Sequence, residues 1–215
     1  MSTTLTRTGF VLPAGPETAS IAVLNSNFQL IDAQIGYTIC TSTTRPSTPI
    51  TGQPIYETNT GFRRYWDGSA WQLFPGQVLG GNRYSTTGSL GTSTTTESAA
   101  AMTTGALGLL NGALYSLCAQ VEWQSTIAAD AATIRIKDGS TVLATKSTQA
   151  IRAANVSEIE YIEVPYVAGA TGNKTFTVTI QRLAGTGTVS LRGNSAGNPF
   201  ILAKYVGPSA MLGSV

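Results

Sequence analysis

Between Leu110 and Pro208 the chain keeps a two-residue period that few folds accommodate. Tyr115, Leu117, Ala119, Val121 and Trp123 alternate with Ser116, Cys118, Gln120, Glu122 and Gln124. Successive side chains on a strand point to opposite sides of a sheet, so this is the pattern of a strand with one buried face. Trp123 closes the apolar face and is expected in the core. Further strands are predicted over 133–137, 141–145, 158–167, 174–181, 188–192 and 200–205, with turn signals at Asp138-Gly139, 170–173 and 185–187. No helix-length apolar period lies between them, which excludes parallel α/β folds. The expected fold is mainly β, ending in a C-terminal antiparallel, jelly-roll-like β-sandwich over residues 98–215.

Upstream, residues 37–75 read as a small aromatic β-meander. Asn59-Thr60-Gly61 and Asp67-Gly68 supply residues that tolerate positive φ, and they separate β-favouring runs over 54–57, 62–66 and 71–74. Three strands of this length bury little. A partner surface is therefore expected to cover Tyr56, Phe62, Trp66, Trp71 and Phe74, the residues read as packing a neck. Residues 76–97 are rich in Gly, Ser and Thr and read as a linker or a first strand.

The first 15 residues read as an extended attachment arm in which Leu5, Phe10 and Leu12 are the candidate docking side chains. Residues 16–36 open on Pro-Glu and end at Gly36, a preferred arrangement for a helix. Within them Ile21, Leu24, Phe28, Ile31 and Ile35 recur at alternating spacings of three and four, an a/d heptad seam. Two heptads fit either a coiled coil or an amphipathic helix packed on its own chain. Isoleucine at seam positions favours three strands where a seam forms.

Composition narrows the functions. Charged residues are 11% of the 215, the net charge is +2, and no long Lys or Arg run exists, so no footprint for nucleic acid is expected. No apolar run approaches membrane-spanning length and the N-terminus lacks a signal-peptide apolar region. Synthesis and folding in the cytosol, with no membrane insertion, are expected. Cys40 and Cys118 lack metal or redox spacing and read as free thiols.

With no histidine in the chain, His-dependent triads and His metal sites do not arise. Glu158, Glu160 and Glu163 read as a solvated strand surface rather than a glycosidase pair. Asp130 and Asp138 flank a strand-turn unit but are too few for a calcium site. Gly185-Thr186-Gly187 is not followed by a helix and reads as a tight turn. No catalytic residue, metal or cofactor is assigned.

Two stretches carry a resemblance. Arg45-Pro46-Ser47, the run Gly52-Gln53-Pro54-Ile55-Tyr56-Glu57-Thr58-Asn59-Thr60-Gly61, and Trp66-Asp67-Gly68-Ser69-Ala70-Trp71 together look like a connector in virion proteins of tailed bacteriophages. There it joins an N-terminal attachment segment to a distal β-domain. Residues 19–33 similarly resemble the helix that precedes this connector in phage fibre-like proteins. The C-terminal half resembles a β-domain at the end of virion proteins from phages of actinobacteria, matching at 112–116, 129–139, 172–176, 181–187, Asn198-Pro199 and 205–208. One departure is Lys204-Tyr205, where that family commonly has acidic residues before the final Gly-Pro.

The resemblance implies a virion protein assembled in the host cytoplasm. The expected form is a homotrimeric tail-associated fibre or minor tail protein, contacting other virion proteins of tail or capsid. A capsid decoration protein or head fibre is the related alternative, and a module that recognises a host-envelope glycan is the alternative of another class. An enzyme is not expected.

Overall fold

Strand pairing is organised around a single long strand, the segment in which Tyr115 to Trp123 alternate with polar residues. The computed structural model describes residues 3–4, 11–12, 24–28, 36–194 and 196–209. The chain divides into two compact units, Met1–Phe74 and Pro75–Val215.

The first unit holds a two-residue antiparallel ribbon, β1 (Thr3–Thr4) with β2 (Val11–Leu12), and a short helical segment at 24–28. Its main element is a four-stranded sheet in the order β3 (Thr38–Cys40), β4 (Pro54–Glu57), β5 (Phe62–Trp66) and β6 (Trp71–Leu73). β4, β5 and β6 form the expected meander. β3 adds to its edge in parallel, with Ile39 opposite Tyr56. The two turns follow their local chemistry. Gly61 adopts φ +71° and its N–H donates to Glu57 O at 2.8 Å. At the second turn the Asp67 carboxylate accepts from the Ser69 and Ala70 amides, both at 2.7 Å, an Asx-type closure of the hairpin.

The second unit is the sandwich. Its strands are β7 (Val78–Arg83), β8 (Gly88–Ser93), β9 (Met102–Thr103), β10 (Leu107–Leu109), β11 (Ala113–Ser125), β12 (Ala131–Asp138), β13 (Thr141–Ser147), β14 (Ser157–Val167), β15 (Gly172–Lys174), β16 (Phe176–Ala184), β17 (Val189–Gly193) and β18 (Phe200–Pro208). The larger sheet centres on β11, which pairs with β14 along one edge. Its other edge is shared by β18 over 113–120 and β17 over 122–125, and β7 and β8 lie outside these two. The smaller sheet runs β13, β12, β16, β9, and β10 with β15 makes a separate ribbon. Every pairing in this unit is antiparallel.

The alternation places the core. Tyr115, Leu117, Ala119, Val121 and Trp123 of β11 are buried, as are Leu191 of β17, Ile201 and Ala203 of β18, and Ile134, Ile136, Val178 and Ile180 of the smaller sheet. Such inward rows from two sheets make the single apolar layer of a sandwich. Edge-on aromatic pairs add to it, Tyr115 with Tyr205 at 5.8 Å within one sheet and Tyr166 with Phe176 at 4.9 Å between the two.

Two sequence expectations change here. The segment 76–97, read as a linker or a first strand, supplies two strands of the larger sheet. Its Gly, Ser and Thr carry no side-chain period, so the ladder to β18 and β17 defines these strands, not burial. Gly81 lies so close to β18 that a Cβ would fall onto the Ile201 carbonyl, and a register shift beside it, between Ala203 and Lys204, marks an irregular pairing. The single strand expected over 174–181 is two strands in different sheets. The break comes where Phe176 N–H donates to Thr104 Oγ1 at 3.1 Å and Thr104 N–H to Phe176 O at 3.0 Å, which starts β16 beside the segment ahead of β10.

Candidate functional site

In the four-stranded sheet of the first unit, strand alternation and register sort the aromatic residues onto two faces. Opposite pairs Ile55 with Arg64, and Arg64 with Leu73, put Ile55, Glu57, Phe62, Arg64, Trp66, Trp71 and Leu73 on one side. The pairs Ile39 with Tyr56, and Tyr56 with Arg63, put Tyr37, Ile39, Tyr56, Arg63, Tyr65 and Phe74 on the other. The side chain at i and its neighbour at i+1 cannot share a face.

The first face is closed by the chain itself. Ile55 and Leu73 are buried, and so is the Glu57 carboxylate. Arg45 from the 41–53 loop donates to Glu57 Oε1, Arg64 approaches the same oxygen at 3.0 Å, and Thr60 Oγ1 donates to Oε2 at 2.7 Å. Burial raises the pKa of this carboxyl, but the Arg45 and Thr60 hydrogen bonds and the Arg64 charge outweigh it and hold the group below the usual range. The loop is tied down further by Gly52 N–H to Trp66 O at 2.7 Å. Trp66 and Trp71 lie against each other edge-on at 5.4 Å.

The second face is open. Ile39 is 73% exposed, and Tyr37 and Tyr56 are exposed beside it. With Arg63 they line a shallow depression of about 340 Å³. The Arg63 guanidinium sits 5.6 Å from the centre of the Tyr37 ring, a cation–π geometry. Phase-matched packing continues along the sheet, with Phe74 between Tyr37 at 6.0 Å and Tyr65 at 5.3 Å. This is an apolar surface with phenol and guanidinium edges.

The five residues predicted to pack a neck are therefore divided. Tyr56 and Phe74 lie on the open face, whereas Phe62, Trp66 and Trp71 lie on the face that the loop covers. Tyr37, Ile39, Arg63 and Tyr65 belong to the open face and were missed. The alternation of Tyr37 and Ile39 with Thr38 and Cys40 is the signal that identifies them. Of the seam residues, Leu24 and Phe28 lie in the helical segment and are 44% and 64% exposed; Ile21, Ile31 and Ile35 lie outside the described residues. Of the docking residues, Leu12 is in β2, and Leu5 and Phe10 lie outside the described residues.

A second built feature is in the sandwich. Asp130 is fully buried, and its carboxylate accepts from Ser125 Oγ, from the Thr186 amide at 2.9 Å and from the Gly187 amide at 3.0 Å. The Gly185-Thr186-Gly187 turn thus presents backbone N–H groups to an anion, and that anion belongs to the chain. Gly185 has φ +94°, and a Cβ at either glycine would fall onto the Asp130 carboxylate. Asp130 is no candidate calcium ligand, because its oxygens are already engaged. Asp138 accepts from Lys174 Nζ at 2.8 Å and from Tyr166 Oη at 3.2 Å. Among the described residues, no cluster of three His, Cys, Asp or Glu has metal-binding geometry, and no helix is long and apolar enough to cross a membrane.

These charges fix how stability responds to pH. Burial raises the Asp130 and Glu97 carboxyls while their hydrogen bonds lower them more, and Glu163 is lowered first by Ser116; all three end below the usual range, as Glu57 does. A carboxylate with a depressed folded pKa contributes stability that is complete above its unfolded pKa and lost as pH falls through the folded value. Cys118 and Cys40 are free, and burial pushes both thiols up. Their contribution is complete below the unfolded thiol pKa and is lost as pH rises through the folded one. With no histidine between these limits, denaturant midpoints are expected to stay flat from about pH 5 to about pH 8 and to fall below about pH 4. A midpoint that moves steadily through the neutral range contradicts this assignment.

No family model and no curated protein matches this sequence. The chain is similar to several solved structures. One is the VP2 subviral particle of infectious bursal disease virus, at 12% identity and TM-score 0.32, covering 76% of this chain and 46% of that one. Another is a carbohydrate-binding module of Cellvibrio mixtus lichenase 5A, solved with cellotriose, at 14% identity and TM-score 0.30, covering 60% of this chain and 98% of that one. A third is the insecticidal delta-endotoxin Cry8Ea1 of Bacillus thuringiensis, at 13% identity and TM-score 0.30, where the match covers 47% of this chain and 18% of the toxin. Likenesses of this size carry no inference about ligand or assembly.

Proposed function

We propose that this chain is a non-enzymatic structural component of a tailed-phage virion, a homotrimeric tail-associated fibre or minor tail protein. In this reading the first unit attaches and self-associates, and the C-terminal sandwich is the domain offered to the host surface. The observation that carries the reading is the two-sided sheet. Its Glu57 face is covered at Ile55, Glu57 and Leu73 by the chain's own loop, while Tyr37, Ile39 and Tyr56 on the other face are exposed. A four-stranded sheet of three to five residues per strand buries too little to stand alone. The exposed Leu24 and Phe28 of the same unit add to the uncovered apolar surface. The resemblance of residues 19–33 and 45–71 to the helix and connector of phage virion proteins supports the same reading.

Threefold presentation multiplies weak contacts of the sandwich without requiring a tight single site. Electron microscopy of intact particles labelled with an antibody to residues 75–215 tests the location. Label on the tail is expected. Label on the capsid replaces the tail assignment with a decoration protein or head fibre, and particles without label overturn the virion assignment.

A further inference from the structure

The sandwich has one long strand with a free side, and its hydrogen-bonding groups can be assigned. β14 pairs only with β11 among the described residues, in an unbroken register. Just past its end, Ala168 N–H donates to Ala113 O at 3.0 Å and Ala168 O accepts from Gly112 N–H at 2.8 Å, so the even-numbered residues turn their backbone groups toward β11. In an antiparallel strand the alternate residues turn theirs the other way. The backbone groups of Ser157, Ile159, Tyr161, Glu163, Pro165 and Val167 therefore face the open edge. The side chains of Ile159 and Tyr161 are 57% and 47% exposed, and Val167 is exposed with them. A long edge with apolar side chains is a template for another strand.

Two features close this edge. Lys146, on β13 at the border of the smaller sheet, places Nζ 2.9 Å from the Tyr161 carbonyl oxygen and 2.8 Å from Glu160 Oε2. It occupies an outward acceptor near the middle of β14 and puts a charge where an incoming strand would lie. Pro165 has no N–H to offer at one of the six outward positions. We infer that Lys146 and Pro165 guard the β14 edge against strand addition by a second copy of this chain, so that sandwiches held close together stay separate. The inference does not depend on the virion reading. It concerns only the second unit, and any assembly through the first unit is a constant background to its test.

The test uses the full chain with Lys146→Ala/Pro165→Thr, with Lys146→Arg as the conservative control, in sedimentation velocity from micromolar to submillimolar concentration. Wild type and Lys146→Arg are expected to keep one distribution across the range. The double variant is expected to add a species of at least twice the wild-type mass that grows with concentration, together with the amide infrared signature of intermolecular sheet. A double variant that melts cooperatively and sediments as wild type throughout overturns the inference. Should the double variant not fold, Lys146→Ala alone is read by the same two outcomes.

Discussion

Replacing Asp130 with alanine is expected to lower the unfolding free energy by about 3–4 kcal/mol, seen as an earlier denaturant midpoint at unchanged slope. The size follows from what is left behind. The Thr186 and Gly187 amides and the Ser125 hydroxyl all donate to this carboxylate. Ser125 and Gly187 are buried beside it. An unsatisfied buried donor costs roughly 1–3 kcal/mol, and the two buried donors lose this acceptor together, along with the exposed Thr186 amide. Asp130→Asn keeps the volume but can offer only one acceptor oxygen, so it is expected to recover about half the loss. A loss below about 1 kcal/mol for Asp130→Ala would mean that the turn closes without its anion.

The second large effect concerns assembly. Ile39→Asp is expected to weaken self-association by on the order of a hundredfold or more, because an interface that forms over this face must bury the new carboxylate unpaired. Ile39 is the most exposed large apolar side chain of the described residues, so the fold of the first unit should tolerate the change. Trp66→Ala is the contrasting variant. Trp66 packs against Trp71 on the side facing the loop, and its loss is expected to destabilise the unit without a specific effect on association. If Trp66→Ala dissociates the assembly while Ile39→Asp leaves it intact, the two faces have been assigned the wrong way round.

Much of the fold was legible because side-chain period and turn chemistry agree over long stretches. β4 and β5 begin and end where the β-favouring runs do, since Asn59-Thr60-Gly61 and Asp67-Gly68 leave little choice of turn. β11 extends its predicted alternation by two residues at the start and one at the end. What failed to show had no side-chain signature. β7 and β8 are made by backbone pairing to β18 and β17, strands about a hundred residues or more further along the chain. β3 is three residues long and pairs in parallel with β4 across the 41–53 loop. The Asp130 site joins residues separated by 56 and 57 positions, and no local pattern links a buried acid to a distant glycine turn.

The candidate surface was half legible for a related reason. Alternation shows which residues share a face, but not which face the chain will cover. The 41–53 loop decides that, through Arg45 reaching Glu57. Once the loop is placed, Phe62, Trp66 and Trp71 are half-buried on the face it covers, and Tyr37, Ile39 and Tyr56 stay exposed on the other.

In the proposed assembly this exposed face is covered by copies of the same chain. Sedimentation equilibrium of the full wild-type chain at micromolar concentration measures it directly. A single species of three times the 22.4 kDa chain mass is expected. A stable species of one chain mass at those concentrations contradicts it.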